Sequence, residues 1–202
     1  MITTLEEQNF NEAEKLRSIA NALSDIRANS SLLLGPAFLL FGPNWPLAIT
    51  TAGVATTDRL DGDLARRAAQ ILEEPTTVEG SVKDHEADRR LTFGLLGFTA
   101  ARDIVDGNLA SAAIVGGVIA ISSWREISMA KIRNLAEAEG KRTDAIYINK
   151  LKAAGLMTAL AFGMSPLVEK PHGKAARNLG LIASTVLGVV GMYKFKNKLV
   201  DS

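Results

Sequence analysis

From Ala28 to Thr57 the chain runs 30 residues without a charged side chain, although 22% of all its residues are charged. The turn formers Gly42-Pro43-Asn44-Trp45-Pro46 stand in the middle of that run and predict a tight break. The run therefore reads as two apolar helices in a hairpin, Ile19 to Phe41 and Leu47 onward through Asp58. Only the core of a larger helical bundle or the hydrocarbon of a membrane can cover such a hairpin. Further uncharged runs follow at Gly107–Trp124, Ala153–Val168 and Asn178–Tyr193, with a shorter one at Leu91–Ala101. Most fall below the ~20 residues of a self-sufficient span, so hydropathy by itself leaves a soluble bundle open. Strand alternation is scarce, Ala and Leu are abundant, and the chain reads as all-α.

Composition removes other classes. A hydrophobic content of 47% excludes a disordered chain, and the absence of Cys excludes a disulfide scaffold. A net charge of +1 argues against a nucleic-acid binder working by bulk charge, and no nucleic-acid partner is expected. The first 17 residues are acidic (Glu6, Glu7, Glu12, Glu14) and lack the basic start and apolar core of a secretory signal. They read as a short amphipathic helix lying on a surface through Leu5, Phe10 and Leu16. The expected division is a juxtamembrane helix over 1–18 and a six-helix membrane domain over 19–202.

The placement of basic residues favours the membrane. With six spans, turns near 42–46, 102–108 and 169–177 share one side. That side holds 4 of the 23 Lys and Arg (Arg102, Lys170, Lys174, Arg177), and the other side holds 19. A 19-to-4 sorting by alternate loops is the positive-inside pattern for six helices with both termini cytoplasmic, whereas a soluble bundle has no reason to sort its charges. Trp45 and Trp124 fall at expected span ends, where amphipathic rings sit. Gly116, Gly117, Gly188 and Gly191 suit close helix packing within a membrane. His85, His172 and the five Met read as solvated or packing residues.

The chemistry-bearing pattern is Asp58-Arg-Leu-Asp61-Gly62-Asp-Leu-Ala65-Arg66, followed by Gly80-Ser-Val-Lys-Asp84-His-Glu-Ala-Asp88. Asp58 and Asp61 share one helix face, as do Asp84 and Asp88. If the two helices pack together, four carboxylates converge, and their mutual repulsion near a membrane calls for a cation. Oxygen ligands select a hard ion such as Mg²⁺, Mn²⁺ or Ca²⁺. Gly62, Ala65 and Gly80 leave room for a close approach or a flat ring, and Arg66 offers a planar fork suited to phosphate. Together these describe a site for a nucleoside diphosphate group. Solvated helix-end charges are the competing account of each pair taken alone.

The order of these residues resembles the signature of the CDP-alcohol phosphatidyltransferase family, D-x2-D-G-x2-A-R, a spacer, then G-x3-D-x3-D, with every fixed residue present. The spacer from Arg66 to Gly80 holds 13 residues, where the family usually has about 8. Asn21-Ala-Leu23-Ser24…Arg27 is similar to the opening of the family's first span. Trp124-Arg125-Glu126 through Arg133, with Gly140-Lys141-Arg142 and Lys150-Leu151-Lys152, is similar to the stretch between the fourth and fifth spans of phosphatidylglycerophosphate synthases, with Ala153 where those have Thr.

The resemblance implies an integral membrane enzyme that moves a phosphatidyl group from CDP-diacylglycerol to an alcohol, releases CMP and uses two divalent ions, Mg²⁺ or Mn²⁺. Carried over by position, Asp58, Asp61, Asp84 and Asp88 hold metal and Asp88 is the general base. Asp61, Gly62, Ala65, Arg66 and Gly80 contact the CDP moiety. Glycerol 3-phosphate is the expected acceptor, and Arg125, Arg133, Lys150 and Lys152 are candidates to bind its phosphate. For each of these, snorkelling to lipid headgroups is the competing role. Lys194, Lys196 and Lys198 suit anionic lipid. An inositol phosphate, a lipid alcohol or serine as acceptor, and a non-catalytic membrane protein of the same fold, are the alternatives. The resemblance further implies a homodimer in the plasma (inner) membrane with its active site on the cytoplasmic side.

Overall fold

The computed structural model describes the backbone of residues 2–72, 78–138 and 147–200, and the side chains within those ranges except at 2–6, 78–85, 137, 147, 149 and 199–200. Six helices make up these residues: α1 (Ile2–Phe41), α2 (Trp45–Ile71), α3 (Val78–Val105), α4 (Leu109–Ala138), α5 (Tyr147–Gly163) and α6 (Gly173–Val200). No strand occurs among the described residues. α1 runs 40 residues without a break, so the segment expected as a separate juxtamembrane helix forms the first turns of α1.

The expected hairpin is present, and its chemistry is local. Gly42 takes φ +68°, the left-handed conformation that stops α1. Asn44 then caps α2, its side chain accepting from the Leu47 amide at 3.0 Å, with Pro46 in the first turn, where a missing N–H costs nothing. The Asn44 amide donates to the Met164 carbonyl at 2.7 Å and fastens the turn to the end of α5. Between α3 and α4, Gly107 (φ +72°) makes the turn and Asn108 accepts from the Ser111 amide at 3.3 Å.

The helices close a ring. α1 packs on α2 and α3, α3 on α4, α4 on α6, α6 on α5, and α5 on α2, while α2 and α3 barely touch. Phe38, Leu91, Leu95, Leu96, Leu160 and Leu181 fill the centre. α1 and α3 approach most closely where small residues face each other: a Cβ on Gly94 would stand 2.6 Å from the Ser31 side chain, and one on Gly35 would overlap the Phe98 ring. The sequence expectation for Gly116 and Gly117 is corrected here. A Cβ on either meets nothing within 4 Å, so they line no helix contact.

The outside of the ring is apolar. Leu32, Leu33, Leu40 and Phe41 on α1, Ile49 on α2 and Leu179 on α6 are all two-thirds or more exposed. A water-facing bundle rarely leaves this many large apolar side chains so exposed. Among the described residues, two helices are long and apolar enough to cross a membrane, α4 over Leu109–Ala136 and α6 over Gly173–Lys198. α5, at 17 residues, spans about 25 Å, short of a ~30 Å hydrocarbon layer. α1, α2 and α3 each carry charge along part of their length.

Candidate active site

The carboxylates of α2 and α3 meet across α1. Because α1 lies between those helices, the first group they encounter is one of its own side chains, Arg27. This arginine is 1% exposed. Its Nη1 donates to Asp58 Oδ1 at 2.7 Å and to Asp88 Oδ1 at 2.5 Å, and its Nη2 donates to Asp61 Oδ2. Ser24, one turn earlier on α1, donates to the same Asp61 oxygen at 3.0 Å, and the Gly62 amide donates to Asp61 Oδ1 at 2.7 Å. Asp61 is thus buried with both oxygens satisfied, as a buried carboxylate requires. Asp58 and Asp88 are only partly covered, at 51% and 40% exposure, and look outward from the same end of the bundle.

The donor set is all oxygen and suits a hard divalent cation. The Asp58 and Asp88 oxygens share one guanidinium nitrogen, so they lie no farther apart than two hydrogen bonds end to end. Among the described residues, however, no three acids or imidazoles are grouped for a single ion, and Asp58, Asp61 and Asp88 each pair with Arg27. The fourth aspartate, Asp84, has its side chain outside the described residues, as has Gly80, and the spacer residues 73–77 also lie outside.

A second buried charged group stands at the same end. Arg125 of α4 is 5% exposed; its Nε donates to the Gly188 carbonyl of α6 at 2.9 Å and its Nη1 to Glu126. Lys152 of α5 donates to Glu126 Oε1 at 3.2 Å. Gly188 lies at a close helix contact, as expected: a Cβ there would stand 3.2 Å from the side chains of Arg125 on α4 and Lys152 on α5. Lys152 precedes the uncharged part of α5. Burial, with the Arg125 charge beside it, pulls its pKa below the usual lysine value, and Glu126 and Asp88 act in the opposite direction. The influence of Asp88 on Lys152 ties the basic group to the carboxylates.

The sequence candidates separate accordingly. Asp58, Asp61 and Asp88 come together, as do Arg125 and Lys152. Arg125 is buried inside the ring and does not snorkel. Arg133 is half-buried two turns further along α4, and Lys150 is exposed. Arg66 is exposed at 62% and pairs with Asp63 at 2.5 Å, while Ala65 is partly buried and a Cβ on Gly62 would stand 3.4 Å from the Arg66 guanidinium. Ser24, Arg27 and Glu126 lie in the family-like stretches, but the sequence alone gives them no role in either cluster. The signal for Arg27 was its position as the last charge before the uncharged run.

Comparison with known proteins gives one family. The model for CDP-alcohol phosphatidyltransferase matches residues 17–190, a span that holds both clusters. No curated protein and no solved structure matches the chain. The matched span begins just before the α1 residues that grip Asp61 and ends just past Gly188, and the chain belongs to the CDP-alcohol phosphatidyltransferase family, phosphotransferases that pass a phosphatidyl group from a CDP-alcohol to an acceptor.

Proposed function

We propose that the chain transfers the phosphatidyl group of CDP-diacylglycerol to glycerol 3-phosphate, or to a closely similar phosphorylated alcohol, and releases CMP. The family is generally dependent on divalent metal. In this chain Asp58, Asp61, Asp84 and Asp88 would hold two ions, Mg²⁺ or Mn²⁺, which when bound neutralise the diphosphate and ease the departure of CMP. Gly62, Ala65 and Gly80 leave space for the nucleotide, and Arg66 binds one of its phosphates. Asp88 takes the proton of the acceptor hydroxyl. The freed oxygen attacks the phosphorus that carries the diacylglycerol, and the bond from that phosphorus to CMP breaks. Arg125 and Lys152 bind the acceptor's own phosphate, with Arg133 and Lys150 at the approach.

The observation that supports a phosphorylated acceptor is the pair of buried cations, Arg125 and Lys152, on the Asp88 side of the bundle. Both cations pair with the carboxylate of Glu126, and a phosphate is the acceptor group that suits two cations gathered on one acid, whereas a neutral alcohol has no use for them. The enzyme acts in the plasma membrane as a homodimer, with residues 1–18, both termini and the site on the cytoplasmic face. The apolar outer surface and the basic-residue sorting support that placement.

The test is CMP release from CDP-diacylglycerol by detergent-purified protein against a panel of acceptors. Glycerol 3-phosphate with Mn²⁺ is expected to give release, and EDTA to stop it. Serine, inositol or a lipid alcohol outperforming every phosphorylated acceptor would refute the assignment of the basic pair. Failure of every alcohol in the panel to elicit CMP release would refute the enzyme reading for this chain.

A further inference from the structure

We propose that Arg27 is an internal counter-cation of the carboxylate site, competing with divalent metal for the same aspartates and so setting how tightly the site takes metal. The inference rests on the metal reading above. Arg27 lies outside the carboxylate signature, on a different helix, yet it reaches both halves of it: Nη1 joins Asp58 of α2 to Asp88 of α3, and Nη2 takes Asp61. A guanidinium is always protonated in a protein, so this charge is permanent. It is also fixed in place, because Arg27 is 1% exposed and its helix neighbour Ser24 holds the same Asp61 oxygen at 3.0 Å.

A divalent ion ligated by these oxygens sits ~2.1 Å from each of them. The oxygens now stand around the two terminal nitrogens of one guanidinium, and among the described residues no three acids are grouped for one ion. Two cations on the same oxygens repel one another, so loading metal requires Arg27 to give up or share its carboxylates. Without metal, Arg27 holds the acids of α2 and α3 together across α1 and prevents their repulsion from separating the helices. With metal, the same charge weakens binding.

Mn²⁺ binding to the detergent-purified full chain tests this, read from the paramagnetic resonance signal of free Mn²⁺ and from the shift in unfolding temperature. The comparison is between the native chain, Arg27→Met and Arg27→Lys. Arg27→Met is expected to bind Mn²⁺ about tenfold more tightly or better, to be less stable than the native chain in EDTA, and to recover with Mn²⁺. Arg27→Lys keeps the charge at a single point that serves fewer carboxylates, and its affinity should fall between the two. Equal or weaker Mn²⁺ affinity in Arg27→Met overturns the competition and leaves the metal reading standing. Absence of Mn²⁺ binding in all three proteins overturns both. Should Arg27→Met fail to fold, Arg27→Lys decides: tighter binding than the native chain supports the proposal, and unchanged binding overturns it.

Discussion

Lys152 is a lysine whose charge depends on its neighbours. Burial and the adjacent Arg125 push its pKa below the ordinary 10.5, and Glu126 and Asp88 hold it up. The folded protein thus releases this proton at lower pH than the unfolded chain does. Lys152 therefore adds stability as pH rises between its lowered value and 10.5, and adds none below that window. Acceptor binding runs the other way, since a phosphate needs the charged form. The KM for glycerol 3-phosphate should climb as pH passes through the lowered value. Glu126→Gln removes one of the charges that keep the proton on and should move that climb to lower pH; a pH profile of KM that stays in place would show that Glu126 does not act on Lys152. Asp88→Asn should reduce CMP release by about 10²- to 10⁴-fold, the usual contribution of a general base, in protein that still unfolds cooperatively. At this scale the meeting of Asp58, Asp61 and Asp88 was legible because their spacing is fixed along one stretch of chain. The role of Arg27 was not, since it reaches its partners from a helix 31 to 61 residues away in sequence.

Among the elements, the helix boundaries followed from local chemistry that a sequence displays. Gly42 and Asn44 end one helix and cap the next where the cluster of turn formers predicted. Helix pairing did not follow. The sequence has the carboxylates converge if their two helices pack together; those helices touch only slightly, α1 carries the contact between them, and nothing in the spacing of either acidic pair reveals that helix. Glycines show the same divide. Gly94 and Gly116 are alike in sequence, both small residues within apolar stretches, yet one lies against Ser31 and the other faces open space. Gly94→Ala should cost about 1–3 kcal/mol through overpacking at the α1–α3 contact. Gly116→Ala should be neutral or stabilising by up to about 1 kcal/mol, since it removes only a helix-weakening glycine. Thermal unfolding of the two variants in the same detergent separates the cases, and equal shifts would contradict the packing described for α1 and α3.

Over the whole molecule, the buried charged groups gather at the two ends of the ring. The carboxylate and basic clusters occupy one end of the ring. About 22 Å along α3 from Asp88, at the other end, lies Asp103. It is 1% exposed and meets Arg177 of α6 at 2.5 Å, with Ser111 and Asn178 completing a buried polar knot that joins the α3–α4 turn to the start of α6. Lys174 and Arg102 pair with Asp106 beside it, at 3.1 and 3.0 Å. Three of the four basic residues assigned to that side, Arg102, Lys174 and Arg177, are therefore paired with the two acids Asp103 and Asp106. The knot closes the ring at the end away from the chemistry, and an apolar core separates the two. Asp103→Asn removes the charge that faces Arg177 and leaves a buried guanidinium short of its anion, a change that costs about 3–5 kcal/mol where a buried pair is broken. The unfolding temperature should drop substantially. CMP release per folded molecule and Mn²⁺ affinity, which depend on the opposite end, should change little when measured well below that temperature. A large fall in Mn²⁺ affinity at full folding would show instead that the two ends are coupled through α3, and that the knot helps set the position of Asp88.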